Sequence, residues 1–80
     1  MNQITPHSLR VVRNVVNLTQ KQLADLIGVS RSYIAYLELG ERTMTIGIQK
    51  RLQDVLGWNK PETQAIIAAV DAWRQPHEDV

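Results

Sequence analysis

Residues 19–40 read TQKQLADLIGVSRSYIAYLELG, and the spacing within this stretch decides the fold. Thr19 and Gln22 fit a capping box, in which the hydroxyl caps the first turn and the glutamine reaches back. Leu23, Ala24, Leu26 and Ile27 follow, and Gly28 ends the segment as a C-terminal glycine. Ser30 is a second N-cap, two residues after that glycine. Ile34 and Leu37 are three apart and mark the buried side of the helix that Ser30 opens; Gly40 stops it. Two helices joined by Gly28-Val29-Ser30 must bring their backbones close together. Ala24 leaves room on the first, and Gly28 permits a left-handed backbone in the turn.

The flanking sequence is punctuated in the same way. Thr5-Pro6 is a start signal, with Thr as cap and Pro at the first helical position. Leu9, Val12 and Val16 then recur at helical spacing with Arg13 on the same side, until Asn17-Leu18 interrupts. Thr45 opens a fourth helix with Ile48, Leu52, Val55 and Leu56, closed by Gly57. Gly47 weakens its first turn, and Ile48 rather than Gln49 is expected to take the buried role. Pro61 opens a fifth helix with Ile66, Ile67, Val70 and Trp73, which Pro76 closes. No segment alternates with period two over the length of a strand. The expectation is an all-α fold of five short helices around one apolar centre, with residues 1–4 and 77–80 frayed.

Composition narrows the function. Eighty residues make one domain, and 44% apolar with 21% charged residues is the balance of a globular chain. With no cysteine, thiolate and disulfide chemistry are out, and a reducing cytosol is the expected compartment. No apolar run nears the roughly 18 residues of a membrane span, and Met1 to Pro6 carry no secretory signal. His7 and His77 are far apart, with no carboxylates at ligand spacing, so no metal or other cofactor is expected. There is no phosphate-binding glycine loop and no coherent acid, base or nucleophile set, so no enzyme activity is expected. Net charge is only +1, but residues 1–60 carry +4 and residues 61–80 carry −3. A basic body with an acidic tail is compatible with an anionic partner on the body, or with a chance fluctuation of surface charge.

Two helices crossing after a three-residue turn form a helix-turn-helix, whose second helix enters the major groove. The stretch LTQKQLADLIGVSRSYIAYLELGER resembles the Cro/repressor-like (XRE) transcription regulators. The resemblance runs from about Leu9 to Trp58. It is carried by Arg13, Thr19-Gln20, Leu23-Ala24, Gly28-Val29-Ser30, Ile34, Glu38, Gly40 and Leu56-Gly57. The run RSYIAYLELGERTMTI also looks like the controller proteins of restriction–modification systems, which are small repressor-activators with a fifth helix that dimerises. The resemblance implies a lambda repressor-like DNA-binding domain over residues 1–80, with its core at 6–58 and a dimerising helix at 61–75. It also implies a cytoplasmic protein, bacterial or phage-encoded.

By the same resemblance Arg31, Ser32 and Tyr36 occupy base-contacting positions of the third helix. Arg31 is suited to a bidentate pair with guanine, unless it is only a solvated charge. Thr19, Gln20, Tyr33, Arg42 and Thr43 occupy phosphate-contacting positions; Tyr33 is equally suited to a base. Arg10 and Lys21 add to this surface, whereas Lys50, Arg51 and Lys60 read as solvated. Arg13 and Glu38 are expected to form a structural ion pair beneath the DNA-binding face.

In the last helix Ile66, Val70 and Trp73 share a face, expected with Trp58 to form a homodimer interface; the other reading folds that helix back on its own core. The function expected is a sequence-specific regulator, a repressor above all, whose homodimer reads a near-palindromic operator in double-stranded DNA. The alternative is an antitoxin-type or other protein-interaction module whose last helix grips a toxin or similar partner. Polymerase is a further possible protein partner if the regulator activates.

Overall fold

The computed structural model describes residues 3–78 of the chain, with side chains as far as Trp73. Five helices follow in order: α1 Pro6–Val15, α2 Gln20–Ile27, α3 Arg31–Leu39, α4 Ile46–Leu56 and α5 Pro61–Glu78. Among the described residues there is no strand.

The first four helices start alike. Thr5, Thr19, Ser30 and Thr45 are extended, and each hydroxyl accepts from the backbone N–H three residues on. The glutamine of the Thr19 box reaches back to the Thr19 N–H at 2.9 Å. The Thr5 cap has a box of its own, closed by Ser8.

These helices also end alike. A residue with positive φ follows each: Asn17, Gly28, Gly40 and Gly57. The N–H of the next residue then donates to the carbonyl five positions back: Leu18 to Arg13, Val29 to Ala24, Glu41 to Tyr36 and Trp58 to Gln53. This is the Schellman closure, which satisfies carbonyls the helix leaves open. In three of the four the residue so turned in is apolar. Leu18 and Val29 pack against the core, and Trp58 is inside it at 1% exposure.

The core gathers Ile4, Leu9, Val12, Leu23, Ala24, Ile27, Ile34, Leu37, Leu52, Leu56 and Trp58, with Ile48 and Ile67 packed against it. Several expectations change. Ile4 is buried, so it is tied down ahead of α1 rather than frayed; the expectation for residues 1–2 and 79–80 lies outside the described residues. Val16 is 43% exposed, because α1 has ended before it can continue the buried stripe. Leu26 and Val55 lie beside, not on, the inner stripes of α2 and α4, and line a shallow groove between them. Helix α5 runs past Pro76 to Glu78. Proline's fixed φ is itself helical, so the helix continues through it, although it loses one backbone hydrogen bond and crowds the carbonyl four residues back. Trp58 belongs to the core and not to a dimer face. Its carbonyl accepts from Gln64 Nε2 at 2.6 Å, a bond that fixes the start of α5.

Candidate nucleic-acid interface

The turn between α2 and α3 is three residues long. Gly28 has φ +77°, a conformation costly for any residue with a Cβ, and a Cβ placed there would meet no neighbour within 4 Å. The glycine is therefore needed for its backbone and not for space. Space is needed at Ala24, which is buried in the contact of α2 with the core. With Ile34 and Leu37 fully buried, α3 turns Arg31, Ser32, Tyr36 and Leu39 outward. Positions i, i+1, i+5 and i+8 form one continuous stripe on a helix.

Beneath this stripe lies a chain of charge-assisted hydrogen bonds. Arg13 on α1 donates from Nε to Glu38 Oε2 at 2.6 Å and from Nη2 to Glu38 Oε1 at 3.1 Å. The pair is well shielded, with side-chain exposures of 11% for Arg13 and 5% for Glu38. A third donor, Arg13 Nη1, goes to the Leu18 carbonyl at 2.8 Å, which holds the turn leading into α2. Glu38 Oε1 also accepts from Gln20 Nε2 at 3.1 Å. Gln20 Oε1 in turn accepts from Arg31 Nη1 at 3.1 Å. Three helices are thus linked through one carboxylate, and the chain surfaces at Arg31, the first residue of α3.

Thr19 and Gln20 bring the start of α2 to the same end of the motif. The N–H groups of a helix's first turn have no partner within the helix, which suits them to a phosphate oxygen. The Thr19 hydroxyl accepts from Gln22 N, leaving its own proton available. Lys21 pairs with Asp25 at 3.2 Å, an exposed bond one helical turn long. Beyond α3, the Arg42 guanidinium lies over the Tyr36 ring, 5.7 Å from its centroid, and Thr43 beside it is exposed. Tyr33 is half-buried against the core. Ile66 and Val70 of α5 are half-buried, and Trp73 is 68% exposed.

Some roles were not legible beforehand. Arg51, expected to be solvated, donates from Nη1 to the Ile27 carbonyl at 3.1 Å and so ties α4 to the end of α2. A cation at a helix C-terminus is favourable, but sequence alone does not say which helix end a given arginine reaches. Leu39 is 68% exposed on the outer stripe, an apolar side chain that helical spacing alone does not place there. Among the described residues no three His, Cys, Asp or Glu side chains gather to hold a metal ion, and no helix is long and apolar enough to cross a membrane.

A short helix, a three-residue turn and a second helix with an exposed outer stripe over a buried apolar one define a DNA-binding helix-turn-helix domain. The family model described as Helix-turn-helix matches residues 9–62, and the chain belongs to that family. It is 34% identical over 62 residues to the control protein C.SmaI of Serratia marcescens, which covers 78% of this chain and 74% of that protein. The crystal structure of the restriction-modification controller protein C.AhdI from Aeromonas hydrophila superposes with a TM-score of 0.66 at 30% identity, over 74% of this chain and 88% of that one. The clp gene regulator ClgR from Corynebacterium glutamicum shares the fold at a TM-score of 0.72 and 24% identity, over 94% of this chain and 80% of that one. Fold and family make this chain a DNA-binding transcription regulator, homologous to restriction–modification control proteins, and not an enzyme.

Proposed function

We propose that this regulator is a repressor whose homodimer reads a near-palindromic operator in successive major grooves. The observation that carries the reading is the outward stripe of α3, headed by Arg31. Arg31 pairs with guanine O6 and N7, Ser32 accepts or donates to a neighbouring base, and Tyr36 packs on a thymine methyl. Thr19, Gln20, Tyr33, Arg42 and Thr43 hold phosphates on either side and set the register. The half-buried Ile66 and Val70, with the exposed Trp73, supply the two-fold contact along α5. Residues 6–58 then serve as the reading unit and 61–75 as the dimerising helix. Repression follows from occluding a promoter. The likeness to C.SmaI and C.AhdI favours genes of a restriction–modification system as those regulated, in a bacterial or phage-encoded setting within the cytoplasm.

Selection of bound duplexes from a random pool tests this. The expected product is a short symmetric consensus with half-site centres about 34 Å apart, one turn of DNA. An unselective pool, or a lone asymmetric half-site, contradicts the reading.

A further inference from the structure

We propose that Leu39 is a specificity-determining residue that packs on a thymine methyl, so that the outer stripe of α3 divides into a polar half for guanine and an apolar half for thymine. The inference rests on the reading of α3 given above and adds to it one residue and one base. Leu39 is the last residue of α3 and is 68% exposed. It belongs neither to the buried core nor to the partly buried side chains packed against it. A lone exposed leucine is ordinary on a protein surface; this one is set apart by its place. It stands three residues beyond Tyr36, itself 41% exposed, and side chains at that spacing are surface neighbours on a helix. The two therefore continue the stripe that Arg31 and Ser32 begin.

The two halves differ in what they can recognise. Arg31 and Ser32 end in hydrogen-bonding groups, which suit the acceptors and donors of a base edge. The Leu39 side chain has no donor and no acceptor, so neither a phosphate nor a guanine edge can hold it. The C5-methyl of thymine is the apolar group that a base pair presents in the major groove, and leucine matches it. Tyr36 supports the apolar half from the side. The Arg42 guanidinium lies over its ring, 5.7 Å from the centroid, which steadies the neighbour of Leu39 on the stripe. Geometry also sets where the thymine falls. At about 1.5 Å per residue, the path along α3 from Arg31 to Leu39 spans about 12 Å, or roughly three to four base pairs at about 3.4 Å each for a helix lying along the groove. A half-site is therefore expected to hold a guanine under Arg31 and a thymine at that distance from it.

Deoxyuridine in place of thymidine tests this, because it removes the methyl and leaves the pairing edge intact. Each thymine of the selected site is replaced in turn, and affinities are measured for the parent, Leu39→Ala and Leu39→Met. For the parent, one replacement at the stated distance from the Arg31 guanine is expected to weaken binding about fourfold, as burial of one methyl-sized group implies. Leu39→Ala is expected to bind the thymidine site about fourfold less tightly, to be indifferent to that replacement within about twofold, and to keep the parent's affinity for random duplexes. Leu39→Met, still apolar and long, is expected to restore the sensitivity. Because Leu39 lies outside the core, the parent and both variants are expected to unfold at the same temperature. A parent indifferent to every replacement, or a selected site without thymine at that distance, overturns the proposal. So does a Leu39→Ala protein that keeps the parent's sensitivity, since another residue then reads the methyl. Equal loss on selected and random duplexes also overturns it and places Leu39 on the DNA backbone. In each of these cases, an Arg31→Ala protein that loses its preference for guanine leaves the base-reading role of α3 standing. An Arg31→Ala protein with the parent's discrimination removes that role as well.

Discussion

Arg13 and Glu38, 25 positions apart, meet in a two-bond fork beneath the helix-turn-helix, with the shorter bond at 2.6 Å. The fork joins α1 to the last turn of α3, and the third Arg13 donor secures the Leu18 carbonyl at the entrance to α2. One ion pair therefore sets how α3 sits on the two helices before it. Removing either partner strands a nearly buried charge. Arg13→Ala and Glu38→Ala are each expected to lower stability by about 3–5 kcal/mol, and the pair removed together by less than the sum. Chemical denaturation measures this; single variants within 1 kcal/mol of the parent on the same scale would contradict it.

The tight turn makes a cleaner backbone prediction. Gly28→Ala is expected to cost about 1–2 kcal/mol, from the left-handed φ alone, since the added methyl meets nothing within 4 Å. Gly28→Asn should recover part of that cost, because asparagine tolerates this region. The same unfolding measurement distinguishes the two, and equal losses would point to crowding instead.

Tyr36 and Arg42 should behave as a unit, since the guanidinium lies over the ring. Arg42→Ala is expected to weaken binding to all duplexes alike and to reduce the slope of log affinity against log salt by about one. Tyr36→Ala should lower affinity on random DNA in the same direction, through the loss of Arg42's platform, and on the selected site by more. Salt titrations on both duplexes read out the difference. An unchanged salt slope in Arg42→Ala would remove its phosphate role.

Trp58, in the core before α5, and Val70, half-buried on α5, should respond differently to substitution. Trp58→Ala should destabilise the fold by about 3–5 kcal/mol, as expected for a large buried side chain. Val70→Asp should leave the helical spectrum intact and shift sedimentation at micromolar concentration from dimer to monomer. A parent protein that sediments as a monomer throughout contradicts the dimer.

Most of the architecture was legible because each helix carries its own start and stop chemistry. Thr19, Ser30 and Thr45 are hydroxyl caps that act within three residues, and Gly28, Gly40 and Gly57 adopt the positive φ at their helix ends. What escaped depends on contacts distant in sequence or on position relative to a stop. Trp58 is apolar and follows a glycine; the Schellman closure turns such a residue inward, and that was the available signal for placing it in the core. Ile4 looked like part of a loose terminus, although its burial depends on what packs over it. Arg51 reaches back 24 residues to a helix end, and Gln20 joins Glu38 and Arg31 at separations of 18 and 11. No periodicity encodes those meetings. The outer face of α3 was readable as residue types, but the support behind it became visible only once the helices were packed.

In the proposed complex the outward stripe of α3 lies against base edges. Titrating the ¹⁵N-labelled protein at low ionic strength with a duplex carrying the selected site tests it most directly. The largest amide shifts are expected at Arg31, Ser32 and Tyr36, smaller ones at Thr19, Gln20, Arg42 and Thr43, and little change in the inner residues Leu52 and Leu56. Shifts confined to α5, or an α3 spectrum that DNA leaves untouched, would contradict it.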